Sequence, residues 1–137
     1  MTMGDGGLMN QGVLHFDGEC WPNPGPSACA YVLRHQTRIY QERFDLGHGT
    51  NNTAEFNGCL MGIEKAVSLG IKNLEVYGDS ELVIKTLNLG WPLKRSPHLA
   101  VIKDRIKLLI PYFERIQFFW VPREQNQECD EVCRGYQ

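Results

Sequence analysis

The sequence predicts a mixed α/β domain with the element order β-β-β-α-β-α-α-β-α. Two observations predict it. Residues 13–46 hold three β-like runs separated only by short polar or proline-glycine stretches; from residue 53 apolar residues at helical spacing alternate with two further short β runs. A chain of 137 residues suits one such domain with a sizeable core.

Each element has its own signal. Residues 13–17 alternate Val13, His15 and Asp17 against Leu14 and Phe16 and stop at Gly18, which reads as a strand ending on a carboxylate. WPNPGPS at 21–27 is turn chemistry. The runs 28–34 and 38–46, joined by His35-Gln36-Thr37, complete an antiparallel meander. Phe56, Leu60, Ile63 and Val67 then recur at i, i+4, i+7 and i+11, and Gly70 supplies a left-handed stop, so a helix is expected over 53–69 with Glu55 in its first turn. Residues 74–77 form a fourth strand closed by Asp79, and Ser80 caps a helix starting at Glu81. A two-proline loop at 90–98, a helix over 98–109, a strand over 115–121, a loop at 122–126 and a short helix holding Asp130 complete the chain.

Composition excludes several classes. Hydrophobic residues at 42% and charged residues at 22% are ordinary for a globular domain, and no apolar run approaches the roughly 20 residues of a membrane-spanning helix. The opening MTMGDGGLMNQG lacks the basic and apolar regions of a signal peptide, so residues 1–12 are expected to be a flexible tail and the protein a cytoplasmic monomer without membrane contact. Five cysteines, an odd number without CxxC spacing, read as buried thiols; Cys129 and Cys133 share a helix face, but no histidine lies near them to complete a zinc site. The net charge of -2 gives no global pull on nucleic acid, although seven of the basic residues gather between Lys85 and Arg115. A solvated helical face and a phosphate-contacting surface both account for that run.

Four acids resist an explanation as surface charge. Asp17 and Asp79 end strands, Glu55 lies in the helix between those strands, and Asp130 sits in a cysteine-flanked helix. Neighbouring strands would bring Asp17 and Asp79 out at one end of the sheet, with Glu55 beside them. Clustered carboxylates raise one another's pKa, so a cluster implies divalent metal, and all-oxygen ligation suits Mg²⁺ or Mn²⁺. Two such ions about 3.5–4 Å apart serve phosphodiester hydrolysis by clamping the attacking and leaving oxygens. From spacing alone, strand-end acids that merely cap helices remain the default account.

The motifs FDGECWPNPGPSA, TNNTAE, YGDS and REQNQECDEV, in this order and spacing, resemble those of ribonuclease H, type 1, over 13–137. The resemblance implies a ribonuclease H-like mixed five-stranded sheet flanked by helices, with residues 13–137 as the catalytic domain. It implies an endoribonuclease that hydrolyses the RNA strand of RNA/DNA hybrids with two Mg²⁺ ions, Mn²⁺ being a substitute, and leaves 5′-phosphate and 3′-hydroxyl ends. Asp17, Glu55, Asp79 and Asp130 would be the catalytic metal ligands, Asp17 bridging both ions. The backbone around Gly18, Glu19 and Cys20, together with Asn51, Asn52 and Glu55, would read the 2′-hydroxyl in the minor groove, and Thr50 would touch a DNA phosphate. For Thr50 and the asparagines, helix capping is the competing account.

The match has departures. VPREQN stands where many members carry a Gly-His loop, resembling the branch with a V-x-R-E-x-N segment, in which Arg123 would contact phosphate, an ordinary surface arginine being the competing account. The long basic protrusion of the family is reduced to Lys94 and Arg95. A resolvase or transposase core of the same superfold, and a module that holds hybrids without cutting them, are the alternatives; the first would lack TNNTAE and the second would not need four acids.

Overall fold

The structure is a computed structural model and describes residues 11–135. Strands β1 (Gln11–Cys20), β2 (Gly25–His35) and β3 (Arg38–Gly49) form the expected meander. Helix α1 (Asn51–Ser68) leads to β4 (Asn73–Gly78), α2 (Glu81–Leu89) and α3 (Pro97–Leu109); a 3-10 turn at Ile110–Tyr112 precedes β5 (Arg115–Trp120), and another at Arg123–Gln125 precedes α4 (Gln127–Arg134). The expected tail at 1–12 lies outside the described residues except for Gln11 and Gly12, which open β1. No helix among the described residues is long and apolar enough to cross a membrane.

The five strands make one sheet in the order β3-β2-β1-β4-β5, antiparallel across β3-β2-β1 and parallel across β1-β4-β5. Period-two burial gives β1 and β4 a face of Leu14, Phe16, Leu74 and Val76 that packs on Phe56, Leu60 and Ile63 of α1, and α3 packs behind α1. Helix α4 covers the opposite face of β1 and β2, where Ala28, Ala30 and Val32 meet Cys129, Val132 and Cys133. All five cysteines are buried and free, as expected.

Three boundaries differ from expectation in ways that shape the site. Asp17 does not end its strand. The parallel pairing of β1 with β4 runs only to His15 opposite Tyr77, whereas the antiparallel pairing with β2 continues to Cys20 opposite Ser27. β2 goes on satisfying the backbone after β4 has ended, so the strand persists and Asp17 stands at its open flank. Helix α1 begins two residues early because Thr50 is its N-cap and exchanges hydrogen bonds with Thr53: the Thr53 N–H donates to Thr50 Oγ1 at 3.2 Å, and the Thr50 N–H to Thr53 Oγ1 at 3.0 Å. The turn expected at 21–27 shortens for the same reason as β1 lengthens, since Gly25–Ser27 already pairs with β3.

Candidate active site

The close approach of α1 to β1 places the first two acids. A methyl group on Gly18 would stand 2.2 Å from the Ala54 carbonyl carbon and 2.3 Å from the Glu55 nitrogen, so only glycine lets the helix lie this near the strand. Glu55 is thereby brought over Asp17. Asp79 arrives from the end of β4, one strand across in the parallel pair.

One carboxylate oxygen from each of Asp17, Glu55 and Asp79 lies within 4.8 Å of the other two. They line a cavity of about 250 Å³ together with Gly18, Glu19, Asn51, Arg123 and Asp130. Asp17 is only 5% exposed. Burial first, then the charges of Asp79 and Asp130, push its pKa from 3.8 up to about 8. Burial and the neighbouring Asp17 and Asp79 also drive Glu55 well above the ordinary carboxylate range. Asp79 is raised chiefly by burial, against hydrogen bonding from Asn126 and the charge of Arg123, which lower it.

The acids fit divalent cations. The buried Glu55 Oε1 has no hydrogen-bond partner, and the three neighbours repel one another when ionised. An all-carboxylate set of this kind takes hard cations such as Mg²⁺ or Mn²⁺, with the remaining positions left to water or phosphate oxygens. Asp130 joins the cavity but not the trio, and is instead ion-paired to Arg123 at 3.6 Å and Arg134 at 3.3 Å.

The other expected site residues divide. Gly18, Glu19, Asn51 and Arg123 line the acid cavity; Cys20, Thr50 and Asn52 are not among its described lining residues. The Cys20 thiol is buried among the carbonyls of Pro22, Gly25 and Gly49, at 3.2–3.3 Å, which ties the loop down and leaves Cys20 only its backbone for a ligand. Thr50 caps α1 and lines a separate cavity of about 320 Å³ with His48, Thr53 and His98. Asn51 is exposed at the helix entry, where its N–H donates to Asn23 Oδ1 at 3.1 Å. In the basic run, Lys85 pairs with Glu81 and Arg105 with Glu64.

Two contributions escape sequence reasoning. The buried Asn126 side chain donates to the Phe16 carbonyl at 2.9 Å and stands near enough to Asp79 to lower its pKa, joining β1, β4 and α4 at the site. Its only sequence signal is its place in the NxxxD motif. Glu19, valued for its backbone, brings its carboxylate too, with Oε2 buried and unpartnered beside the acids.

A family model described as reverse transcriptase-like matches residues 15–135. A ribonuclease H of Syntrophus aciditrophicus is 30% identical over 138 residues, covering 90% of this chain and 76% of the relative. The chain belongs to the ribonuclease H family. Ribonuclease HI of Halobacterium salinarum is 35% identical over 121 residues, covering 87% of this chain and 60% of the relative. The crystal structure of the Halobacterium ribonuclease H1 superposes with a TM-score of 0.83 at 31% identity, covering 90% of this chain and 95% of that one. The N-terminal ribonuclease H domain of Rv2228c from Mycobacterium tuberculosis gives 0.86 at 30% identity, with 91% of each chain covered. The chain spans about a third of the full length of that bifunctional protein, 34%, with 33% identity over 124 residues. The five-stranded mixed sheet with its flanking helices is thus the ribonuclease H fold.

Proposed function

We propose that the chain is an endoribonuclease that hydrolyses the RNA strand of RNA/DNA hybrids at the acid cavity, using two divalent ions. The observation that carries this reading is the trio of Asp17, Glu55 and Asp79, whose oxygens converge within 4.8 Å at the open flank of β1. Family membership supplies the substrate class.

Asp17 belongs to the trio and also feels the charge of Asp130, which suits it to hold both ions. Bound there, Mg²⁺ or Mn²⁺ would supply the activated water and the charge that stabilises the leaving 3′ oxygen, giving 5′-phosphate and 3′-hydroxyl products. The residues do the rest. Glu55 and Asp79 flank the scissile phosphate from α1 and β4, and Arg123 offers a guanidinium on the cavity wall for a phosphate oxygen. Asn51 can donate and accept at once, which fits a 2′-hydroxyl, and the backbone of Gly18, Glu19 and Cys20 forms the adjoining strand edge. Asn52, exposed one residue further along α1, would join Asn51 in that readout, and Thr50 serves as cap and as a wall of the neighbouring cavity for a phosphate of the DNA strand. The cytoplasmic monomer expected from the sequence belongs with this proposal.

Substrate choice tests it. In Mg²⁺ the protein should cut the RNA of a labelled RNA/DNA hybrid and leave duplex DNA intact. Cutting of duplex DNA at a comparable rate would contradict the 2′-hydroxyl readout.

A further inference from the structure

Two arginines bracket Asp130, and they stand in different places. Arg123 lines the acid cavity, and its charge reaches Glu55 and Asp79, lowering the pKa of both. Arg134 approaches from the outer side, with Nε 3.3 Å from Asp130 Oδ2, and lines the adjacent groove with Trp21, Arg43 and Cys133. The Asp130 side chain is only 15% exposed. Its Oδ1 faces Arg123, its Oδ2 faces Arg134, and its charge is felt by the buried Asp17 carboxyl.

The geometry points to Arg134 as a positioning residue that acts through Asp130: it holds the carboxylate in place while no ion is there and weakens the ion position that Asp17 and Asp130 share. This rests on the metal-centre reading above. A divalent ion at Asp130 must take at least one oxygen that already faces a guanidinium, and it brings its charge close to a cation that α4 keeps in place. An ion within the trio lies further from Arg134, so the two positions become unequal. The weaker fills only as the ion concentration rises, and catalysis that needs both ions inherits that threshold.

Arg134 has an ordinary alternative role. It sits in the last turn of α4, four residues after Asp130, where a cation favours both the helix dipole and the i,i+4 pair. That role predicts a lower melting temperature for Arg134→Gln and no change in ion affinity.

The test is calorimetric titration of the full chain with Ca²⁺, comparing wild type, Arg134→Gln and Arg134→Lys, alongside thermal unfolding in EDTA. Repulsion between a divalent ion and a guanidinium roughly 6 Å away, screened by solvent and salt, amounts to about three- to ten-fold in affinity. Arg134→Gln should therefore bind the weaker ion tighter by that factor, or show a second ion where wild type shows one, while the tighter ion changes less than about twofold. Arg134→Lys, which keeps the charge, should match wild type. Unchanged or weaker binding in Arg134→Gln overturns the inference, as does an Arg134→Lys protein that behaves like Arg134→Gln. If neither wild type nor variant binds Ca²⁺, the metal-centre reading falls and this inference with it.

Discussion

Asp17→Asn should make the ion-free protein more stable, the reverse of the usual effect of altering a buried residue. The wild-type carboxyl has a pKa near 8 in the fold against 3.8 in its ordinary state. Between those values the folded protein retains a proton that the unfolded chain has released, so stability falls as pH rises from about 4 and levels off only above about 8. At 1.36 kcal/mol per unit, the interval from 3.8 to pH 7 corresponds to an upper value of about 4 kcal/mol. Because Glu55 and Asp79 share the strain, about 2 kcal/mol is the expected gain for one substitution at pH 7. For a domain of this size that is on the order of 5–10 °C in melting temperature. Urea unfolding in EDTA at a series of pH values from 4.5 to 8.5 measures it. Wild type should lose stability across the series, and Asp17→Asn should lose clearly less. A variant less stable than wild type at pH 7, or equal slopes for the two proteins, would refute the claim that the acids repel one another. Adding Mg²⁺ should then raise the wild-type midpoint and leave that of the variant nearly unmoved.

Three further outcomes follow from the same geometry. Asn126→Ala removes the bond to Phe16 and the amide that favours the ionised Asp79, so it should destabilise the protein by about 1–3 kcal/mol and lower the turnover of hybrid; urea unfolding and steady-state kinetics read the two effects separately. Gly18→Ala forces a methyl group into the Ala54–Glu55 backbone and should cost at least about 3 kcal/mol, visible as a collapse in soluble yield or in melting temperature. Thr50→Ala should lose about 1 kcal/mol with its cap, and a salt-dependent rise in KM beyond that would mark the phosphate contact.

Much of this was legible in the sequence because the relevant signals are local. The change from a period of two to a helical period at TNNTAE locates α1, and the strand signals before Asp17 and Asp79 are short and clear. The residual error at Asp17 is instructive. Its strand outlasts one neighbour but not the other, and that depends on where β4 stops, which no local pattern encodes. The unread contributions are those made at long range. Asn126 meets Phe16 across 110 positions in the chain, and Arg134 gains its meaning only when α4 is laid against β1. Cys20 was expected to contribute its backbone alone, and its thiol is indeed turned into the loop, among the carbonyls of Pro22, Gly25 and Gly49.

The central claim is that these carboxylates hold divalent ions that cleave RNA paired with DNA. End-labelled hybrid incubated with the protein in Mg²⁺, in EDTA, and in Mg²⁺ with Asp17→Asn tests it most directly. Cleavage in Mg²⁺ alone by wild type, with 5′-phosphate ends and none in the other two conditions, is the predicted result. Hybrid bound but uncut by wild type in Mg²⁺, or cut equally well in EDTA, would contradict it.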